Sequence, residues 1–158
     1  MCQKKCKVPI KYRPQAIKVK IIDDFSGGAE SHYARINSRT GIKLFEDRER
    51  AEYARDRQRI CSLHGIGPKV RSEVFKFYQN NRLVFWDSTR AVSYGYKTQV
   101  AKQFTPYTFD EHAKQVDRVL FKYRRLFNEE YVDDHDGNFG LIGGKVVIID
   151  FGVESTCY

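Results

Sequence analysis

Asp133 to Gly140 reads DDHDGNFG, which gathers three aspartates, a histidine and an asparagine within six residues. Carboxylates and amides at that density suit a hard cation, or a proton taken from a reacting hydroxyl. Asp134, Asp136 and Asn138 have the odd-position spacing of a calcium loop. Such a loop needs Gly at its sixth position and Glu at its twelfth, where this chain has Phe139 and Lys145. Both positions break the calcium pattern. A further carboxylate, Asp150, follows twelve residues after Asn138 and opens the triplet Asp-Phe-Gly. Between them FGLI and KVVII flank Gly143-Gly144, and a two-glycine turn between apolar runs predicts a β-hairpin. Far upstream, GIKLF places Lys43 on a predicted strand, alternating with Ile42 and Leu44, after a glycine-containing turn and before a charged helix.

This set resembles the protein-kinase-like superfamily of phosphotransferases: Asp133-x-x-x-x-Asn138, a hairpin, Asp150-Phe151-Gly152, and a strand lysine upstream. The form D-D-H-D-G-N is closer to the small-molecule and lipopolysaccharide kinase branch, whose loop reads roughly His-Gly-Asp-Leu-His-x-x-Asn, and His135 matches that form. The resemblance implies ATP and Mg²⁺ as cofactors. It implies Asp133 as the group that accepts or orients the proton of the attacking hydroxyl, and Asn138 and Asp150 as ligands of Mg²⁺. Lys43 would grip the nucleotide phosphates, held by a carboxylate of the following helix. Glu52 and Asp56 lie one turn apart there; Glu52 is favoured by residue type, Asp56 by Ile60 and Leu63 four and seven residues onward. Ser26, Gly27 and Gly28, in SGGAES, stand where the family has its glycine-rich loop, with Ser31 nearby, though the full G-x-G-x-x-G is not present. The segment from Thr98 through Gln99 and Val100 to Ala101 would be the hinge that faces the adenine.

Two departures accompany the match. Tyr131 stands where the family has a histidine two residues before the catalytic aspartate, and six residues follow Gly152 where the family continues with an activation segment and more helices. A shortened C-lobe would leave apolar surface that a homodimer could cover. The expected activity is transfer of the γ-phosphate to a hydroxyl of a protein or small molecule, the chain itself included. The alternative is a kinase-like nucleotide-binding or regulatory module with little or no catalysis.

The elements that must position these residues can be read from periodicity. Ile17, Val19 and Ile21 alternate within residues 16–25; HYARI and IKLF follow after turn-forming stretches, giving a three-strand meander. Residues 46–63 contain neither Gly nor Pro and predict one charged helix, ended by HGIGP. VRSEVFKFY, RLVFW and AVSYGYKTQV predict further strands between residues 70 and 100. Thr108 and Glu111 have capping-box spacing, and Phe109, Ala113, Val116, Leu120, Tyr123 and Phe127 follow as an apolar stripe. The order predicts an α+β fold: a single kinase-like domain over 1–158, with a β-rich N-lobe over about 16–100 and one helix in it. A minimal C-lobe of helix, catalytic loop and hairpin would occupy about 101–158.

Composition narrows the setting. The chain has 158 residues, 41% of them hydrophobic, which suits one domain with a real core and rules out wholesale disorder. No apolar run approaches the ~20 residues of a membrane span, and MCQKKCKVPIKY lacks the apolar centre of a signal peptide, so a cytoplasmic protein is expected. Cys2, Cys6, Cys61 and Cys157 do not form the paired spacing of a structural zinc site and read as free thiols. A net charge of +8 suggests an anionic partner (nucleotide, nucleic acid or acidic surface) without choosing among them, and no RNA-binding signature or helix-turn-helix pattern supports nucleic acid.

Overall fold

Ile42 and Leu44 are wholly buried on a strand that is covered on both faces, and the sheet is built outward from it. The computed structural model describes residues 16–17, 26–27, 31–77, 93–128 and 136–151. The fold is α+β. A six-stranded sheet contains β1 (Ala16–Ile17), β2 (Ser26–Gly27), β3 (His32–Arg35), β4 (Thr40–Phe45), β5 (Phe75–Phe77) and β6 (Ser93–Gln99), in the order β1-β5-β6-β4-β3-β2. The pairs β2–β3, β3–β4, β4–β6 and β5–β6 are antiparallel, and β1–β5 is parallel.

Strands β2, β3 and β4 form a meander whose first described strand is Ser26–Gly27, while residues 18–25 of the expected first strand lie outside the described residues. Ile17 lies at the opposite edge, paired with Phe77. Gly27 is therefore part of a ladder, opposite His32, rather than of a turn. Asn37 closes the β3–β4 turn, its Oδ1 accepting from the N–H groups of Arg39 and Thr40 at 2.8 Å each, which is Asx-turn chemistry. Of the strands expected between 70 and 100, β5 and β6 are observed, while QNN and RLVFW fall outside the described residues.

Helix α1 (Arg48–Leu63) begins at Asp47, whose side chain accepts from Arg50 N–H, and ends at His64 before Gly65. Its buried positions are Ala51, Ala54, Gln58 and Cys61, a stripe of small or neutral residues at three-four spacing that lies against β4 and β6. Small side chains let the helix approach the sheet closely, so whatever longer side chain occupies that stripe must find its partners inside.

A second sheet holds β7 (Lys102–Gln103), β8 (Phe139–Ile142) and β9 (Lys145–Ile148) in that order, all antiparallel. The predicted hairpin is β8–β9. Ile142 pairs with Lys145 across a two-residue turn whose Gly143 and Gly144 have φ of 56° and 79°, values a side chain with Cβ adopts only under strain.

The helical stretch after β7 differs from expectation at its start. Thr105 caps α2 (Pro106–Glu111), accepting from Thr108 N–H, with Pro at the first position. Proline lacks the N–H that a first-turn residue leaves unused, so Thr105-Pro106 fixes the start and Thr108 falls inside the helix. The chain then breaks at His112, and α3 (Ala113–Phe127) begins anew, ending at Asn128 in the left-handed conformation. The apolar stripe survives this break. Val116, Leu120 and Tyr123 are buried with Val119, while Phe109 and Phe127 pack partly buried; Ala113, at the new helix start, is exposed. Each fully buried side chain of this size contributes about 1.5–3 kcal/mol. One contiguous core joins Phe45, Ala54, Cys61 and Tyr96 of the larger sheet and α1 to Leu120, Phe139, Ile148 and Phe151. Arg57 adds a polar link between α1 and α3, donating to Tyr123 Oη at 2.7 Å with its guanidinium 4.4 Å from the centre of the Phe127 ring.

Candidate functional site

Strand alternation sends Lys43 to the face opposite Ile42 and Leu44, beneath α1. Its side chain is 8% exposed. The ammonium donates to Gln58 Oε1 at 3.3 Å and to the backbone carbonyl of Ile149, a residue 106 positions away. It also lies 4.8 Å from the centre of the Phe151 ring. Burial pulls its pKa down to about 8, against upward pulls from Asp150 and Cys61. The lysine is thus surrounded by neutral oxygens and an aromatic face, with the Asp150 carboxylate supplying the principal opposing charge.

Gln58 is fully buried and every contact of its amide is internal. Oε1 accepts from Lys43 and from Tyr96 Oη at 2.8 Å; Nε2 donates to Pro68 O at 3.1 Å and to Thr98 Oγ1 at 2.6 Å. These four contacts tie β4, α1, β6 and the loop after α1 together. Burial, reinforced by Asp150, raises the Tyr96 hydroxyl well above its usual pKa, so Tyr96 is a fixed donor to this network.

The helix carboxylates do not take the part expected of them. Glu52 and Asp56 are both exposed, and Asp56 is engaged with Arg55 at the surface, 3.5 Å away. Ile60 and Leu63, the apolar residues that favoured Asp56, are also solvent-facing. The sheet selects a face by size rather than by hydrophobicity: Ala51, Ala54 and Cys61 admit close packing, and Gln58 is the residue of that stripe long enough to reach Lys43. The three-four repeat of Ala51, Ala54, Gln58 and Cys61 marks the buried stripe in the sequence, but not which partner Gln58 meets there.

The hairpin turns a sequence separation into proximity. Phe139 pairs with Ile148, and the Ile149 N–H donates to the Asn138 carbonyl at 2.8 Å, so Asn138 stands opposite Ile149, one residue before Asp150. Asn138 closes a single 3-10 turn, Asp136–Asn138. Asp150 is exposed, while the next residue, Phe151, is buried in the core and anchors the strand end on which the carboxylate sits. Ile148 N–H donates to Ile66 O at 2.8 Å and fastens the same strand to the loop after α1. Asn138 and Asp150 carry oxygen donors of the hard type that suits Mg²⁺, and the Asp150 charge acts on Lys43. Among the described residues no group of three or more His, Cys, Asp and Glu gathers as a metal site.

Asp133, Gly28 and Tyr131 lie outside the described residues, as do Asp134 and His135. Ser26 and Gly27 form the edge strand β2, two strands from Lys43 through β3. In the expected hinge, Thr98 is buried and bound to Gln58, Gln99 N–H donates to Lys69 O at 2.9 Å, and Val100 N–H donates to Arg39 O at 3.0 Å. These donors are committed within the fold.

No protein-family model, curated protein or solved structure matches this chain. No helix among the described residues is long and apolar enough to cross a membrane.

Proposed function

We propose that this chain is an ATP-dependent phosphotransferase with a kinase-like arrangement of its site. The observation that carries the proposal is the buried Lys43 ammonium seated on the carbonyl of Ile149, next to Asp150, across 106 residues of sequence. A buried cation among neutral oxygens is costly unless an anion is meant to meet it, and the Asp150 charge beside it suits a phosphate bridged by a divalent cation. In this reading Lys43 positions the phosphates and Asn138 with Asp150 would hold Mg²⁺, which supplies neutralisation of phosphate charge when bound. Ser26 and Gly27 are assigned to covering the phosphates, and the Thr98–Ala101 segment to bordering the base. The acceptor hydroxyl oxygen forms the new bond to the γ-phosphorus as the bond to the ADP oxygen breaks; ADP leaves with that electron pair, and Asp133 takes the hydroxyl proton. The acceptor is a protein or small-molecule hydroxyl. The reading assigns the protein to the cytoplasm, where ATP and Mg²⁺ are supplied and Cys61 stays a free thiol.

Gln58 favours one second reading, a nucleotide-binding module with weak or no transfer, because the carboxylate expected to hold the lysine is replaced by a neutral amide. Incubation with labelled ATP and Mg²⁺, comparing the parent with Asp133→Ala and Asp150→Ala, separates the two. Transfer that both substitutions abolish supports the enzyme. Binding without transfer supports the module, and absence of binding removes both.

A further inference from the structure

The Gln58 amide cannot be turned round. The Pro68 carbonyl only accepts and the Lys43 ammonium only donates, so Nε2 must face the first, 3.1 Å away, and Oε1 the second, at 3.3 Å. The remaining capacity is taken by Thr98 Oγ1 and Tyr96 Oη, which leaves a fully satisfied buried amide. One end of this network is the lysine and the other is Thr98, where the segment bordering the base begins. We propose that Gln58 is a positioning residue that clamps the Lys43 ammonium against the end of β9 and ties it to Thr98, and that this clamp requires an amide. Its meaning for the phosphate and base subsites depends on the nucleotide reading above; the clamp itself depends only on the contacts named.

A carboxylate at this place is not a conservative change, although a kinase resemblance invites one opposite the lysine. Gln58→Glu aims an oxygen at the Pro68 carbonyl, so a buried acceptor faces a buried acceptor. The attraction gained from Lys43 on β4 does not replace that lost donor. Protonation does, since a neutral carboxylic acid again offers a hydroxyl toward Pro68 and a carbonyl oxygen toward Lys43. The other groups acting on this network are Tyr96 from β6, Asp150 after β9, and Arg55 and Cys61 from α1 itself. Of the three groups that can carry negative charge, Asp150, Tyr96 and Cys61, burial keeps the last two neutral. Burial and Asp150 oppose ionisation of the introduced carboxyl against the pull of Lys43 and Arg55, and recovery in mild acid reads that balance.

The test uses the full chain as parent, Gln58→Glu, Gln58→Ala and, as the mildest change, Tyr96→Phe. The first measurement needs no nucleotide: the rate at which an N-hydroxysuccinimide acetate reagent acylates Lys43 in the folded protein, read by peptide mass spectrometry. Gln58→Ala is expected to raise that rate about tenfold and Tyr96→Phe about two- to threefold, as loss of one or part of one hydrogen bond implies. The second measurement is calorimetric binding of ATP with Mg²⁺ at pH 7.5 and pH 5.5. Both Gln58 variants are expected to bind about tenfold more weakly at pH 7.5, and only Gln58→Glu to regain most of the loss, relative to the parent, at pH 5.5. Equal acylation rates in the parent, Gln58→Ala and Tyr96→Phe overturn the clamp. Undiminished ATP binding by Gln58→Glu at pH 7.5, or a loss with no recovery in acid, overturns the need for an amide. A parent that binds no nucleotide removes both nucleotide readings, and the acylation rates still decide the clamp.

Discussion

Replacing Lys43 by Met should make the protein more stable at neutral pH while removing the nucleotide binding proposed above. Burial pulls the Lys43 pKa from 10.5 to about 8, a fall equivalent to roughly 3 kcal/mol against the charged form. Below pH 8 the lysine is protonated in both folded and unfolded chains, and the folded state bears this cost in full. Between about pH 8 and 10.5 the unfolded chain holds the proton and the folded chain does not, so the parent gains stability as pH rises through that window. Met has similar volume and no charge. Its introduction relieves the cost but leaves Gln58 Oε1 with only Tyr96 and the Ile149 carbonyl without the ammonium, a loss of about 1 kcal/mol for each. The net expectation is stabilisation by about 1 kcal/mol at pH 7, or a rise of roughly 2–4 °C in Tm for a chain of this size. Thermal and urea denaturation of parent and variant at pH 7 and pH 9.5 measure it, alongside ATP binding at pH 7. The advantage of Lys43→Met should shrink or reverse at pH 9.5. A variant that is less stable at pH 7 by an amount that does not change with pH would refute the claim that Lys43 is buried at a cost for function.

Two further outcomes follow from packing. A Cβ on Gly95 would lie 2.2 Å from the Lys43 backbone carbonyl in the neighbouring strand, so Gly95→Ala should destabilise by at least about 2 kcal/mol and lower the urea midpoint, with the lysine displaced. Burial pushes the Cys61 thiol up to about 12, despite the opposing pull of Arg57 and Lys43, so alkylation by iodoacetamide at pH 8 should spare Cys61 until the chain unfolds. Peptide mapping of the alkylated protein, with and without urea, checks this; rapid labelling of Cys61 in the native state would contradict the packing of α1.

Much of the site could be read along the chain, but not its closest contact. The hairpin was legible because Gly143-Gly144 between apolar runs admits one short turn, and that turn alone brings Asn138 opposite the residue before Asp150. Lys43 was legible as a strand residue alternating with Ile42 and Leu44, but alternation only sets it on the opposite face; its burial depends on α1 covering that face. The lysine's partner was not, because Glu52, Asp56 and Gln58 share one helix and charge favours the first two. Which of them turns inward depends on how closely α1 approaches the sheet, and the small residues Ala51, Ala54 and Cys61 decide that. Likewise Thr108 and Glu111 have capping-box spacing, yet Thr105-Pro106 starts the helix and His112 divides it.

By itself, then, the sequence determined the α+β order of elements, the hairpin and the lysine-bearing strand, since these depend on local periodicity and turn chemistry. Only the tertiary structure decided that a buried amide holds the lysine, that Ile17 pairs at the sheet edge away from the meander, and that the Gln99 and Val100 donors are spent inside the fold. Each of those depends on which distant backbone or side chain fills a hydrogen bond once water is excluded, and no spacing along the chain encodes that directly.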